Sequence, residues 1–165
     1  MGRLERGFDA LLRTMARLAA VVFACAAALI PIDLVLRNAF DASIYGLLDA
    51  IEYGLLAATF LAAPWVLSIN AHVSVDLFVA ALAGRARRLA DTLANLVGAG
   101  AAAVFLWFAV VAAAQSIEHG TMIRTAFVIP EWWVLAVAPV SMGLILVEFA
   151  RRLLRTGGTN IRTRL

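Results

Sequence analysis

Four apolar runs, each 23 to 25 residues long, alternate with short polar stretches along the chain. They cover roughly 14–36, 47–69, 92–116 and 130–154. At 1.5 Å per residue such runs reach about 35 Å as helices. That exceeds the roughly 30 Å hydrocarbon core of a bilayer, so the pattern predicts four membrane-spanning helices with modest tilt. Pro31, Pro64 and Pro139 fall inside the runs. Each removes a backbone donor and favours a kink, which membrane helices tolerate when neighbouring groups satisfy the freed carbonyl. The expected fold is all-α, a single four-helix membrane domain over residues 1–165.

The connector at 70–89 is too polar to span, yet Phe78, Ala81, Leu82 and Arg85 follow helical spacing, and Gly84 stands where a helix would end. This predicts a short amphipathic helix at about 72–83, lying in the membrane interface between the second and third spans. In the third span, Ala94, Gly98 and Ala102 form a ridge of small residues at four-residue spacing. Such a ridge lets another helix approach closely, either within the chain or from another subunit. Before the fourth span, Ile129, Pro130, Glu131, Trp132 and Trp133 are consecutive. Proline suits a first helical turn, an acid suits the positive helix end, and tryptophans suit the membrane interface.

Arginine positions orient these spans. All basic residues are arginine, 14 in number. Twelve of them fall in the N-terminal tail, the second connector and the C-terminal tail, against Arg37 and Arg124 in the other connectors. By the positive-inside rule this places both termini in the cytoplasm, which requires an even number of spans. The excess also accounts for the net charge of +3 without a nucleic-acid partner. Hydrophobic residues make up 64% of the chain and mean hydropathy is +0.92, whereas soluble domains have roughly 45–50% apolar residues. A single cysteine, Cys25, excludes an intrachain disulfide. The arginines before the first run imitate a signal peptide, but bulky Phe23 precedes Ala24-Cys25 and the run continues to Leu36, so it is read as a helix.

Chemistry is sparse. Transport or redox sites in membranes use polar groups deep in the spans, and no carboxylate lies near the centre of any run. Asp33 and Arg37 are spaced to pair along the first helix. Arg37 and Glu52 fit either an intramembrane ion pair, contacts with charges on another protein, or snorkelling to water. Glu148 precedes Arg151 and Arg152 by one turn, a local pairing. His72 and His119 fall on opposite sides of the membrane, which excludes a haem pair. With no CxxC, phosphate-binding glycine loop or catalytic cluster, the chain is not expected to be an enzyme or to carry a metal or cofactor.

Several local motifs stand in order along the chain: Arg37-Asn38 closing the first span, Asp49-x-x-Glu52 opening the second, then Asn70-Ala-His72-Val73-Ser-Val75-Asp76, Arg85-Ala-Arg-Arg88, and Ile129-Pro130-Glu131-Trp132 before an internal Pro139. Together they resemble the small permease subunit, DctQ-type, of tripartite ATP-independent periplasmic (TRAP) transporters, over roughly residues 5–155. The alanine-rich third span adds nothing to the resemblance. The family resemblance implies a bacterial inner-membrane subunit that binds no substrate. It would scaffold a large permease subunit, which carries the substrate and sodium sites and takes up an organic acid or similar solute delivered by a periplasmic binding protein. The expected partners are those two proteins and membrane lipids. On this reading Arg37, Glu52, His72 and Asp76 are candidates for the large-subunit interface. His72 and Asp76 fit equally an N-terminal cap with a solvated carboxylate. Arg124, Glu131, Trp132 and Trp133 are candidates for periplasmic docking or anchoring. Two other readings are a self-contained four-helix carrier and a membrane anchor for a redox complex.

Overall fold

The computed structural model describes residues 3–69 and 85–158. The expected interfacial helix at 72–83, with His72 and Asp76, lies outside the described residues. The described chain forms α1 (Arg3–Phe40), α2 (Leu47–Ser68), α3 (Arg85–His119), β1 (Met122–Arg124), β2 (Val128–Pro130), α4 (Glu131–Leu135) and α5 (Val137–Gly158). Among the described residues, four stretches are long and apolar enough to cross a membrane: Glu5–Phe40, Leu47–Ser68, Leu89–His119 and Glu131–Leu154.

Two of these helices are much longer than the apolar runs suggest. α1 has 38 residues and α3 has 35, lengths of about 57 and 52 Å against a hydrocarbon core of about 30 Å. The reason lies in their inward stripes. The buried positions of α1 are Leu12, Met15, Ala19, Ala26 and Asp33, and half-buried Phe8, Val22, Leu29 and Leu36 fill the remaining places of the same repeat. The intervals alternate between three and four residues, the seam that keeps one face of a helix on its partner. The seam begins at Phe8, inside the polar N-terminal segment, so the helix is held well before the apolar run starts. In α3, Asn95, Gly98, Ala102, Ala109 and Ser116 repeat the pattern.

α2 and α5 sit centrally, with α1 packed on α2 and α3 packed on α5 and α4. Small residues set the spacing. Phe149 of α5 lies against Gly98, where a Cβ would come within 2.5 Å of its ring, and Ala102 is 6% exposed. The ridge in the third span therefore packs within the chain at Gly98 and Ala102, while Ala94 is exposed.

The prolines act differently from one another. α1 and α2 continue through Pro31 and Pro64. Proline lacks the N–H that would bond the carbonyl four residues earlier, so Pro64 frees the carbonyl of Phe60. Ser141 of α5 donates its hydroxyl to that oxygen at 2.6 Å, and both Pro64 and Ser141 are fully buried. Pro139 instead coincides with a break. Its ring crowds the Leu135 carbonyl, α4 ends at Leu135, and α5 begins at Val137. Pro130 caps α4 from the last position of β2 rather than entering the first turn.

Between α3 and α4 a two-stranded antiparallel hairpin pairs Ile123 with Ile129, an element absent from the sequence expectation. Gly120, at φ +60°, turns the chain out of α3. Gly46, at φ +73°, opens α2 where the ring of Phe127 leaves no space for a side chain, a Cβ there lying 2.7 Å from the ring.

Candidate functional site

The polar chemistry of the described residues gathers at the two ends of the bundle. One end carries the start of α1 and the end of α5, and the other the hairpin.

At the terminal end, α5 supplies Glu148, Arg151 and Arg152. Arg151 donates to Glu148 at 3.0 Å and to Asp9 of α1 at 2.9 Å, and its guanidinium lies 4.8 Å from the centre of the Phe8 ring. Arg152 lies 3.7 Å from Glu148 and donates to the carbonyl of Leu67, near the C-terminus of α2, where a cation complements the helix dipole. Glu148 is 5% exposed. Three helices thus meet through two carboxylates, two arginines and the Leu67 carbonyl. The local pairing of Glu148 with its neighbouring arginines is present, and the reach to Asp9 and to the end of α2 goes beyond it. A mixed-charge cavity of about 330 Å³ beside this cluster is lined by Asp9, Arg13, Trp65, Ser68, Glu148 and Arg151.

At the hairpin end, Asp33 accepts from Arg37 at 2.9 Å and from the backbone N–H of Ile44 at 3.0 Å. It is 3% exposed, on the inward seam of α1, so it ties the 41–46 loop back onto the helix. Asp49 accepts from the N–H of Ala126 at 2.7 Å and so holds the hairpin tip over the start of α2. Tyr45 reaches the Ala126 carbonyl at 3.4 Å. Glu131 accepts from Ser116 at 3.0 Å, and Ser116 shares a hydrogen bond with Thr121 at 2.7 Å.

Arg37 therefore pairs with Asp33 on its own helix, and no ion pair joins it to Glu52. The two lie on different helices, and a carboxylate one turn away on α1 is the nearer match. Glu52 is exposed on α2 and makes no hydrogen bond or ion pair with the described residues. Arg124 is exposed on β1. The rings of Trp132 and Trp133 pack edge to face at 5.9 Å and are 39% and 58% exposed. Asp9, Asp49 and Ser141 also hold the structure together, and the sequence offered no direct signal for their partners, which are 142, 77 and 81 positions away.

A second cavity, of about 260 Å³, opens between α2, α3 and α4 and is lined by apolar side chains including Leu56, Phe60, Phe105, Phe108, Val134 and Leu135. Phe60 and Phe105 stand 6.2 Å apart across it. Among the described residues no group of three His, Cys, Asp or Glu side chains converges as a metal site.

A family model described as Tripartite ATP-independent periplasmic transporters, DctQ component, matches residues 26–157. No curated protein matches the chain.

Proposed function

The chain belongs to the family of DctQ components of tripartite ATP-independent periplasmic transporters, and we propose that it scaffolds the large permease subunit of such a system without binding substrate itself. The family is one of membrane transporter components and not of enzymes. The substrate on this reading is an organic acid or similar solute, handed over by a periplasmic binding protein and taken up with sodium on the large subunit. The observation that carries the scaffold role is the use made of the polar groups. Asp33, Asp49, Glu131 and Glu148 are each engaged by donors within the chain, and the interior between helices is closed by small side chains such as Ala19, Ala26, Ala58 and Ala102. A transport pathway needs solvated or displaceable polar groups at depth. This bundle commits those four carboxylates to its own architecture and turns large apolar side chains outward.

The arginine distribution supports an inner-membrane protein with the terminal end in the cytoplasm and the hairpin in the periplasm. In that orientation Trp132 and Trp133 anchor the outer interface, and Arg124 and Glu131 lie on the side from which the binding protein approaches. Arg37, Glu52, His72 and Asp76 then contribute polar contacts to the large subunit. The test is co-expression of a tagged chain with its genomic neighbours. A large permease is expected to co-purify in a defined ratio, and transport in proteoliposomes is expected to require both chains. Transport by this chain alone would overturn the scaffold role. For topology, a membrane-impermeant thiol label is expected to modify Thr121→Cys and not Arg87→Cys in intact cells, and the opposite result would reverse the orientation.

A further inference from the structure

We propose that the apolar groove between α2, α3 and α4, together with Glu52 one turn before Leu56 on α2, seats one transmembrane helix of the large permease subunit, and that this helix presents an arginine or lysine to Glu52. The inference rests on the scaffold reading above and specifies which face of the bundle is used and what chemistry meets it.

Glu52 and Leu56 are one helical turn apart, so they share a face of α2. Leu56 lines the groove with Phe60, Phe105, Phe108, Val134 and Leu135. The charge and the concavity therefore form one continuous surface. Glu52 is also set apart from the other carboxylates of the apolar stretches. Asp33 and Glu148 have arginine partners, Asp49 takes a backbone N–H, and Glu131 takes the Ser116 hydroxyl. α3 overshoots the hydrocarbon at about 52 Å, which carries Asp91 and Glu118, near its two ends, out to water. α2 does not overshoot. Its 22 residues make about 33 Å, and Glu52 stands about 7.5 Å along the axis from Leu47. An ionised carboxylate facing lipid there is unfavourable, by less than the roughly 2.5–3.5 kcal/mol of the bilayer centre. A lipid chain would fill the groove and leave that charge unmet. A helix with a basic residue one turn outward of its apolar contact satisfies both features at once. The groove, about 260 Å³ and lined by apolar side chains, has room for side chains from a neighbouring helix.

The experiment uses the co-expressed complex. A photo-crosslinking p-benzoyl-phenylalanine replaces Leu56 in one sample and Leu18, exposed on the outer face of α1, in another. An adduct with the large subunit is expected from position 56 and not from position 18. Glu52→Lys is expected to lower the yield of co-purified large subunit at least tenfold, with Glu52→Gln lowering it less. An acidic residue placed in the cross-linked partner helix should restore the yield in the Glu52→Lys background. The melting temperature of the isolated subunit should stay unchanged, since Glu52 is exposed and makes no hydrogen bond or ion pair with the described residues. An adduct from position 18 and none from position 56, or only lipid adducts at 56 while the permease still co-purifies, would overturn the proposal and leave the scaffold role standing. Failure of the unmodified chain to bring down any permease would remove the scaffold role itself.

Discussion

At the terminal end of the bundle, side chains from three helices bond to one another: Asp9, Glu148, Arg151 and, through the Leu67 carbonyl, Arg152. At the hairpin end, the carboxylates of Asp33 and Asp49 reach backbone N–H groups of loops, at Ile44 and Ala126. The contrast follows from where the arginines are. Among the described residues, Arg13, Arg151 and Arg152 stand at the terminal end, so acids there meet cations and clamp helix to helix. At the other end Arg37 serves Asp33 alone, Asp49 takes a loop N–H, Glu131 takes the Ser116 hydroxyl, and Glu52 takes no donor among the described residues. An asymmetry usually read as a signal for membrane orientation also decides how each end is built. One end sets how the helices pack, and the other sets how the loops are shaped.

The largest effect is expected from Glu148→Ala. It leaves two arginines, with 17% and 21% of their side chains exposed, without their shared anion. Breaking a buried pair on one side costs about 3 kcal/mol, read as a lower melting temperature in detergent. Asp9→Ala should cost less, because its carboxylate is 39% exposed and Arg151 keeps Glu148. Asp33→Ala comes next. It removes both a charge-assisted bond and the acceptor for Ile44, at about 2 kcal/mol. Its distinguishing sign is faster amide exchange at Ile44. Asp49→Ala should cost about 1 kcal/mol, with faster exchange confined to Ala126 and its neighbours. If Asp33→Ala or Asp49→Ala lowered the melting temperature more than Glu148→Ala, the hairpin end would be organising the bundle, and the division between the two ends would fail.

What could be read from the chain in advance tracks interaction range. Four helices were legible because their apolar runs are local features. So were the pairs Asp33–Arg37 and Glu148–Arg151, each within one turn. The early start of α1 at Arg3 was missed because its start was placed at the apolar run near Thr14. The seam places at Phe8 and Leu12 were present at the right spacing, but they stand among Arg6, Asp9 and Arg13. The hairpin at 122–130 is too short to carry a periodic signal. The hydrogen bonds from Ala126 to Asp49 and from Ser141 to Phe60 join residues 77 and 81 positions apart, and no local pattern encodes them. Glu52 was legible as a polar group at depth, and only the packed structure separates it from the carboxylates already engaged.

Between the two ends, the buried hydrogen bond from Ser141 to the Phe60 carbonyl has neither a charge nor a loop to explain it. Its rationale is Pro64, which withholds the N–H that would otherwise bond that oxygen. This gives the smallest and most specific prediction. Ser141→Ala should destabilise the bundle by about 0.6 kcal/mol, the average for interhelical hydrogen bonds in membranes. Pro64→Ala supplies a backbone donor to Phe60 and makes the hydroxyl redundant. In that background Ser141→Ala should cost close to nothing. Pro64→Ala also changes packing at a fully buried site, but that change is common to both arms of the double-mutant cycle and cancels. Equal losses in the two backgrounds would mean that Ser141 acts only through its fit against α2, and that the carbonyl freed by Pro64 finds its donor elsewhere. A coupling near the full value of the single mutant would place a third fastening at mid-depth. It would be independent of the arginines that shape the terminal end and of the loops that close the other.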